Sequence, residues 1–199
     1  MKTERIALFD LDGTLCDYNL GLKRSMVLLE SPSERDFPDE PAFKGVPRDD
    51  APAYLKARAN LIRSTVEWWV NLPKLKLGFD IWDLAGTLGY RKMVLTQGPR
   101  RNANAWTGKK LWIDKNLGQD VDITITRDKG LVYGKVLVDD FPEYIERWLE
   151  WRPRGLVIMP VNESNINFKH PQVIRYDGFN FIEVAAAMKE ATPLGEQED

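Results

Sequence analysis

At 199 residues, 43% of them hydrophobic and 29% charged, the chain has material for one ordinary domain with an insertion, or a core with a small satellite, and no room for a second large domain. A formal charge of −2 and a pI near 5.6 provide no basic field for long duplex nucleic acid or an anionic membrane surface, while small phosphorylated ligands stay compatible. The single cysteine, Cys16, excludes an internal disulfide, suits a reducing compartment and is expected to be a small packing residue.

Met1 to Arg5 lead into a strand without the charged-then-apolar pattern of a signal segment, and no apolar run reaches membrane-spanning length. The expectation is a soluble cytoplasmic protein without an internal repeat, with a homodimer left open. The acidic tail Thr192 to Asp199 is expected to fray.

Ile6 to Phe9 read as a buried strand that runs into Asp10, Asp12 and a turn at Gly13. Leu20 to Glu30 carry Leu22, Met26, Val27 and Leu29 at helical spacing. Prolines 32, 38, 41, 47 and 52 then exclude regular structure over most of 31–52, which is expected to be a long loop. A helical pattern resumes over Ala53 to Val70 and is ended by Asn71-Leu72-Pro73. A helix over Gly78 to Leu88 precedes a strand over Arg91 to Thr96, which stops at Gln97-Gly98-Pro99. Ala103 to Asn116 predict a helix closed by Gly118. Strands follow at Val121 to Thr126, at Val136 to Val138 ahead of Asp139-Asp140, and at Gly155 to Pro160, with an edge strand at Val173 to Arg175. Pro142 to Trp151 and Phe181 to Glu190 read as helices, the first with proline in its opening turn.

Strands alternating with helices predict an α/β fold, a Rossmann-like parallel sheet with helices on both faces. The segment 16–76 holds no convincing strand and is expected to be a helical cap inserted after the first strand, leaving 1–15 and 77–199 as the core. In open parallel sheets ligands bind beyond the carboxyl ends of the strands. Asp10, Asp12, Thr96, Asp139 and Asp140 all fall there.

Alternate side chains of an extended strand share a face, so Asp10 and Asp12 are expected to leave the strand end together. Two like charges so close call for a hard divalent cation, Mg²⁺ first among candidates, which could also carry phosphate oxygens. A carboxylate can form an aspartyl-phosphate that splits one hard displacement into two, and a second, protonated carboxyl can protonate the leaving alkoxide.

Asp10-Leu11-Asp12-Gly13-Thr14-Leu15 after an apolar strand resembles the first motif of the haloacid dehalogenase superfamily of phosphotransferases. The resemblance implies that Asp10 is the nucleophile and Asp12 the general acid and base. Val94-Leu95-Thr96-Gln97-Gly98 is similar to the second motif, which implies that Thr96 binds the transferring phosphoryl group with help from Gln97 and Gly98. Thr126-Arg127-Asp128-Lys129-Gly130, followed by an apolar strand and Asp139-Asp140, looks like the fused third and fourth motifs of the 5'(3')-deoxyribonucleotidases. Lys129 would then neutralise phosphate and nucleophile, with Lys135 the competing lysine. Mg²⁺ would lie between Asp10, the Asp12 carbonyl and Asp140, with Asp139 a neighbour or water-mediated partner. One departure stands out: that family follows its motif-two threonine with serine and proline, where this chain has Gln97-Gly98-Pro99.

The resemblance therefore implies a Mg²⁺-dependent phosphomonoesterase acting on nucleoside monophosphates. The rival readings are a phosphatase for sugar phosphates or other small metabolites, and a non-catalytic phospho-ligand-binding module. Base recognition is expected in the insertion and its flanks, from Phe37, Phe43 and the helix of Trp68 and Trp69, of which only one indole should reach a cleft. Trp112, Trp148 and Trp151 are expected in the packing. His170, the single histidine, cannot build a nitrogen-rich zinc site.

Overall fold

The computed structural model describes residues 4–32 and 51–191. Strand β1 (Ile6–Phe9) is followed by helices α1 (Tyr18–Leu28), α2 (Ala53–Arg63), α3 (Val66–Val70) and α4 (Lys76–Thr87). Then come β2 (Arg91–Thr96), α5 (Ala103–Leu117), β3 (Asp122–Ile125), a 3₁₀ turn (Lys129–Leu131) and β4 (Val136–Val138). The chain closes with α6 (Pro142–Glu150), β5 (Leu156–Pro160), β6 (Val173–Tyr176) and α7 (Phe181–Glu190). The six strands form one sheet in the order β3-β2-β1-β4-β5-β6, and every pair is parallel. This is the Rossmann-like α/β architecture that the alternating pattern predicts. The chain winds outward from β1 through β2 to β3, then returns to the other side of β1 for β4 to β6. The strand order therefore reverses between β1 and β4, where such sheets place their ligands.

By internal contacts the chain divides into two compact units, Met1–Cys16 with Lys74–Gln97 and Asp120–Asp199, and Asp17–Pro73 with Gly98–Gln119. In the first, the period of two sends Leu8 and Phe9 to opposite faces of the sheet. Leu8, Leu95, Leu137, Val157 and Met159 pack with Ile145, Trp148 and Leu149 of α6. On the other face Phe9 meets Trp82 of α4 edge-on at 4.8 Å between ring centroids, and the Tyr90 hydroxyl donates to the Met188 carbonyl of α7 at 2.6 Å.

In the second unit, α1 begins two residues ahead of its predicted start because the Asp17 side chain accepts from the Leu20 N–H at 2.9 Å and caps it. The single helix predicted over Ala53 to Val70 is two. Ser64 Oγ and Thr65 Oγ1 donate back to the Leu61 and Ile62 carbonyls, and Trp69 Nε1 takes the Arg63 carbonyl at 2.9 Å, so side chains replace the helical ladder there. Helix α5, expected in the core segment, groups with this unit instead. Trp112 Nε1 donates to the Leu72 carbonyl at 2.8 Å and Asn102 Nδ2 to the Arg63 carbonyl at 2.6 Å. Most of the predicted proline-rich loop, with Phe37 and Phe43, lies outside the described residues. No helix among the described residues is long and apolar enough to cross a membrane.

Candidate active site

Sheet register brings the chemistry-bearing residues together. Phe9 pairs with Val138, so Asp10, one residue on, is level with Asp139, and the Asp10 N–H donates to the Val138 carbonyl at 2.8 Å. Thr96 ends the neighbouring β2 and is fully buried. Asp10, Asp139 and Asp140 are buried too, each less than a tenth exposed, and each offers an oxygen within 4.8 Å of the others.

Lys129 reaches this group from the 3₁₀ turn and is 2% exposed. Its Nζ lies 2.8 Å from Asp10 Oδ1 and 2.6 Å from Asp139 Oδ2. Lys135 stands at the amino end of β4, where its N–H donates to the Ile6 carbonyl. The turn is itself secured from α6. Asp128 caps it by accepting from the Gly130 N–H at 2.9 Å, and Arg147 grips the Asp128 carboxylate through Nε and NH2, the latter at 2.7 Å. Arg152 NH1 donates to the Gly130 carbonyl at 2.7 Å. The ammonium also sits 4.5 Å from the centre of the Tyr144 ring, and the Tyr144 hydroxyl donates to Gln97 Oε1.

The two motif-four aspartates differ in their partners. Asp139 spends Oδ2 on Lys129 and Oδ1 on the Phe141 N–H at 3.0 Å. Asp140 accepts Thr14 Oγ1 at 3.3 Å on Oδ1 and Asn162 Nδ2 at 2.7 Å on Oδ2. Gly13 passes so close that a Cβ there would stand 2.4 Å from Asp140 Oδ2, and its φ of +82° is one that side chains rarely adopt.

Electrostatics follow from one ammonium among buried carboxylates. Burial alone would depress the Lys129 ammonium, but Asp10 and Asp139 more than reverse that and hold it above the ordinary lysine value. Burial pushes the Asp139 carboxyl up to about 6 despite Lys129, with Asp10 adding to the rise. Burial, then Asp139 and Asp10, raise Asp140 well above the carboxylate range. One lysine thus faces three buried carboxylates. An excess of buried negative charge on converging oxygen donors fits a small hard cation such as Mg²⁺.

The remaining predicted residues are placed as follows. Residues 11–16 coil back on the Leu11 carbonyl, which accepts from the N–H groups of Thr14, Leu15 and Cys16. The Asp12 carboxylate lies in that turn, outside the group of three, with Cys16 Sγ 3.6 Å from its Oδ1. Gly98 lies under an indole: a Cβ would stand 2.3 Å from Trp106 Cε2. Trp69 is 4% exposed. Trp68 is half-buried against the Leu22, Met26, Leu55, Ala59 and Ile62 cluster, with Nε1 donating to Ser25 Oγ at 3.1 Å. Trp112 and Trp148 are buried as predicted, while Trp151 is 63% exposed.

Sequence reasoning passed over Thr14, Tyr144, Asn162, Asn165 and the buried Lys109 of α5, which lies over the Trp69 ring at 5.5 Å. Thr14 was inside the first motif, and an asparagine two residues after a buried strand was the available signal for Asn162.

No protein-family model matches the chain, and no curated protein does. Among solved structures, the shared fold is that of the haloacid dehalogenase-like hydrolases. A protein described as a haloacid dehalogenase-like hydrolase, from Burkholderia xenovorans, matches with a TM-score of 0.54 at 16% identity, over 93% of this chain and 98% of that one. A family IA, variant 3 hydrolase from Entamoeba histolytica gives 0.48 at 14% identity, over 94% and 98%. CbbY from Rhodobacter sphaeroides, in complex with phosphate, gives 0.43 at 12% identity, over 87% and 93%. At such identities the likeness is one of fold, and the chemistry is argued from the residues.

Proposed function

We propose that the protein is a Mg²⁺-dependent phosphomonoesterase working through an aspartyl-phosphate on Asp10, with nucleoside monophosphates as its substrate class. The observation that carries this reading is the buried Lys129 ammonium set between Asp10 and Asp139 at the ends of adjacent parallel strands. It pairs with the Asp10 carboxylate and gives a phosphate dianion a cation to approach.

In the first step Asp10 attacks phosphorus and the ester P–O bond breaks. The Asp12 carboxyl passes its proton to the departing oxygen, so the alcohol leaves neutral. In the second, Asp12 takes a proton from water, whose oxygen attacks phosphorus, releasing inorganic phosphate and the Asp10 carboxylate. Thr96 and Lys129 hold the phosphoryl oxygens. Asp10, Asp140 and the Asp12 carbonyl would hold Mg²⁺, which when bound supplies charge neutralisation for the phosphoryl group. Asp140 is the better direct ligand of the motif-four pair, because Asp139 is paired with the Lys129 ammonium while Asp140 accepts from the neutral Thr14 and Asn162 side chains. The nucleotide class rests on the run Thr126-Arg127-Asp128-Lys129 ahead of Asp139-Asp140.

The test is phosphate release from an aryl phosphate and from a panel of deoxy- and ribonucleoside 5'- and 3'-monophosphates set beside sugar phosphates, with Mg²⁺ and in excess chelator. Metal-dependent turnover that is lost in folded Asp10→Asn is expected. Turnover by that variant, or full activity in chelator, overturns the mechanism. Sugar phosphates outrunning every nucleotide would overturn the substrate class alone.

A further inference from the structure

The loop after β5 is built in a way that the reaction chemistry does not by itself require. Asn162 Oδ1 accepts from the Ser164 N–H at 2.9 Å, Ser164 Oγ at 2.6 Å and the Asn165 N–H at 3.1 Å. With its oxygen occupied by donors, the amide can turn only its NH₂ toward Asp140, and Nδ2 meets Oδ2 there at 2.7 Å. Asn165, 1% exposed, locks the same loop. Its Nδ2 donates to the main-chain carbonyls of Asp140 at 3.0 Å and Pro160 at 2.9 Å, and its Oδ1 accepts from the Asn162 N–H at 3.0 Å. One buried amide thus ties the exit of β4 to the exit of β5, and a second, oriented by its own turn, grips the Asp140 carboxylate.

That carboxylate is held on both oxygens, by Thr14 on one side and Asn162 on the other, while the group it forms with Asp10 and Asp139 stays within 4.8 Å. Each carboxylate oxygen has two acceptor sites, so one on each remains for a cation. A carboxylate free to rotate would lose that aim, and groups that orient a metal ligand commonly govern affinity by ~10- to 100-fold.

We propose that Asn162, seated by Asn165, is a positioning residue that sets the Asp140 carboxylate for Mg²⁺, so that β5 contributes to the metal site although it supplies no ligand. The inference rests on the metal-dependent reading above. Asn162→Ser separates the two jobs of this side chain, since a serine hydroxyl can still accept from the Ser164 and Asn165 N–H groups but is too short to reach Asp140.

The experiment is calorimetric titration of Mg²⁺ into wild type, Asn162→Ser and Asn162→Ala, with melts of each in EDTA. The serine variant should melt close to wild type in EDTA yet bind Mg²⁺ about tenfold or more weakly, and the Mg²⁺ needed for half-maximal turnover should rise by the same factor. A merely structural residue would lower the melting temperature and leave the affinity of the folded fraction unchanged, which overturns the proposal. So does an unchanged affinity in whichever variant folds. A wild type that binds no Mg²⁺ would instead overturn the metal-dependent reading, and this inference with it.

Discussion

Replacing Lys129 by methionine keeps an unbranched stem and removes the ammonium from between two buried carboxylates. Lys129, Asp10 and Asp139 are each 5% exposed or less, so solvent offers little screening. Breaking a buried ion pair by deleting one partner leaves an uncompensated charge and costs ~3–5 kcal/mol. For a chain of this size each kcal/mol lowers the melting temperature by ~2–4 °C, which corresponds to a fall of about 6–20 °C. The melt is best followed by circular dichroism in EDTA, so that no divalent cation can substitute for the ammonium. Asp139→Asn in the same background should recover part of the loss, because it removes one stranded carboxylate, and the double-mutant cycle should show a coupling of ~1–3 kcal/mol. A Lys129→Met protein melting within about 2 °C of wild type, with no coupling to Asp139, would refute the view that this lysine neutralises the cluster.

Gly13→Ala places a Cβ 2.4 Å from Asp140 Oδ2 at a φ of +82°. It should cost ~1–3 kcal/mol in chemical denaturation and also weaken Mg²⁺ binding, because the neighbour forced to give way is the proposed ligand. Trp69→Ala tests the opposite of a base-stacking role. With the indole 4% exposed and its Nε1 on the Arg63 carbonyl, the substitution should destabilise by ~3–5 kcal/mol in urea titration. A loss below about 1 kcal/mol would contradict the packing role.

Much of the fold was legible because its signals are local. Four apolar residues running into two aspartates mark a buried strand end whatever surrounds them, and β1, β2, β4 and α7 fall where the pattern puts them. The break at Ser64 and Thr65 was not legible, since helical periodicity runs through it and the bonds that divert it are side-chain choices made on folding. Periodicity also cannot say which face an indole meets: Trp69 is buried and Trp68 leans on a helical cluster.

By itself the sequence determined the parallel α/β class and the chemical types gathered at the strand ends, because residue type and period are properties of the chain. Tertiary structure alone decided which of them meet. Strand order put β4 beside β1, so Asp139 and Asp140, distant in sequence, lie against Asp10. It chose Lys129 over Lys135 because a 3₁₀ turn gripped by Arg147 aims one at the carboxylates, while the other starts a strand at the sheet's far end. It gave Asp139 to the lysine and Asp140 to Thr14 and Asn162. Two adjacent aspartates are equivalent as letters, and only the donors that folding brings to each carboxylate pair one with a cation of the chain and the other with neutral side chains.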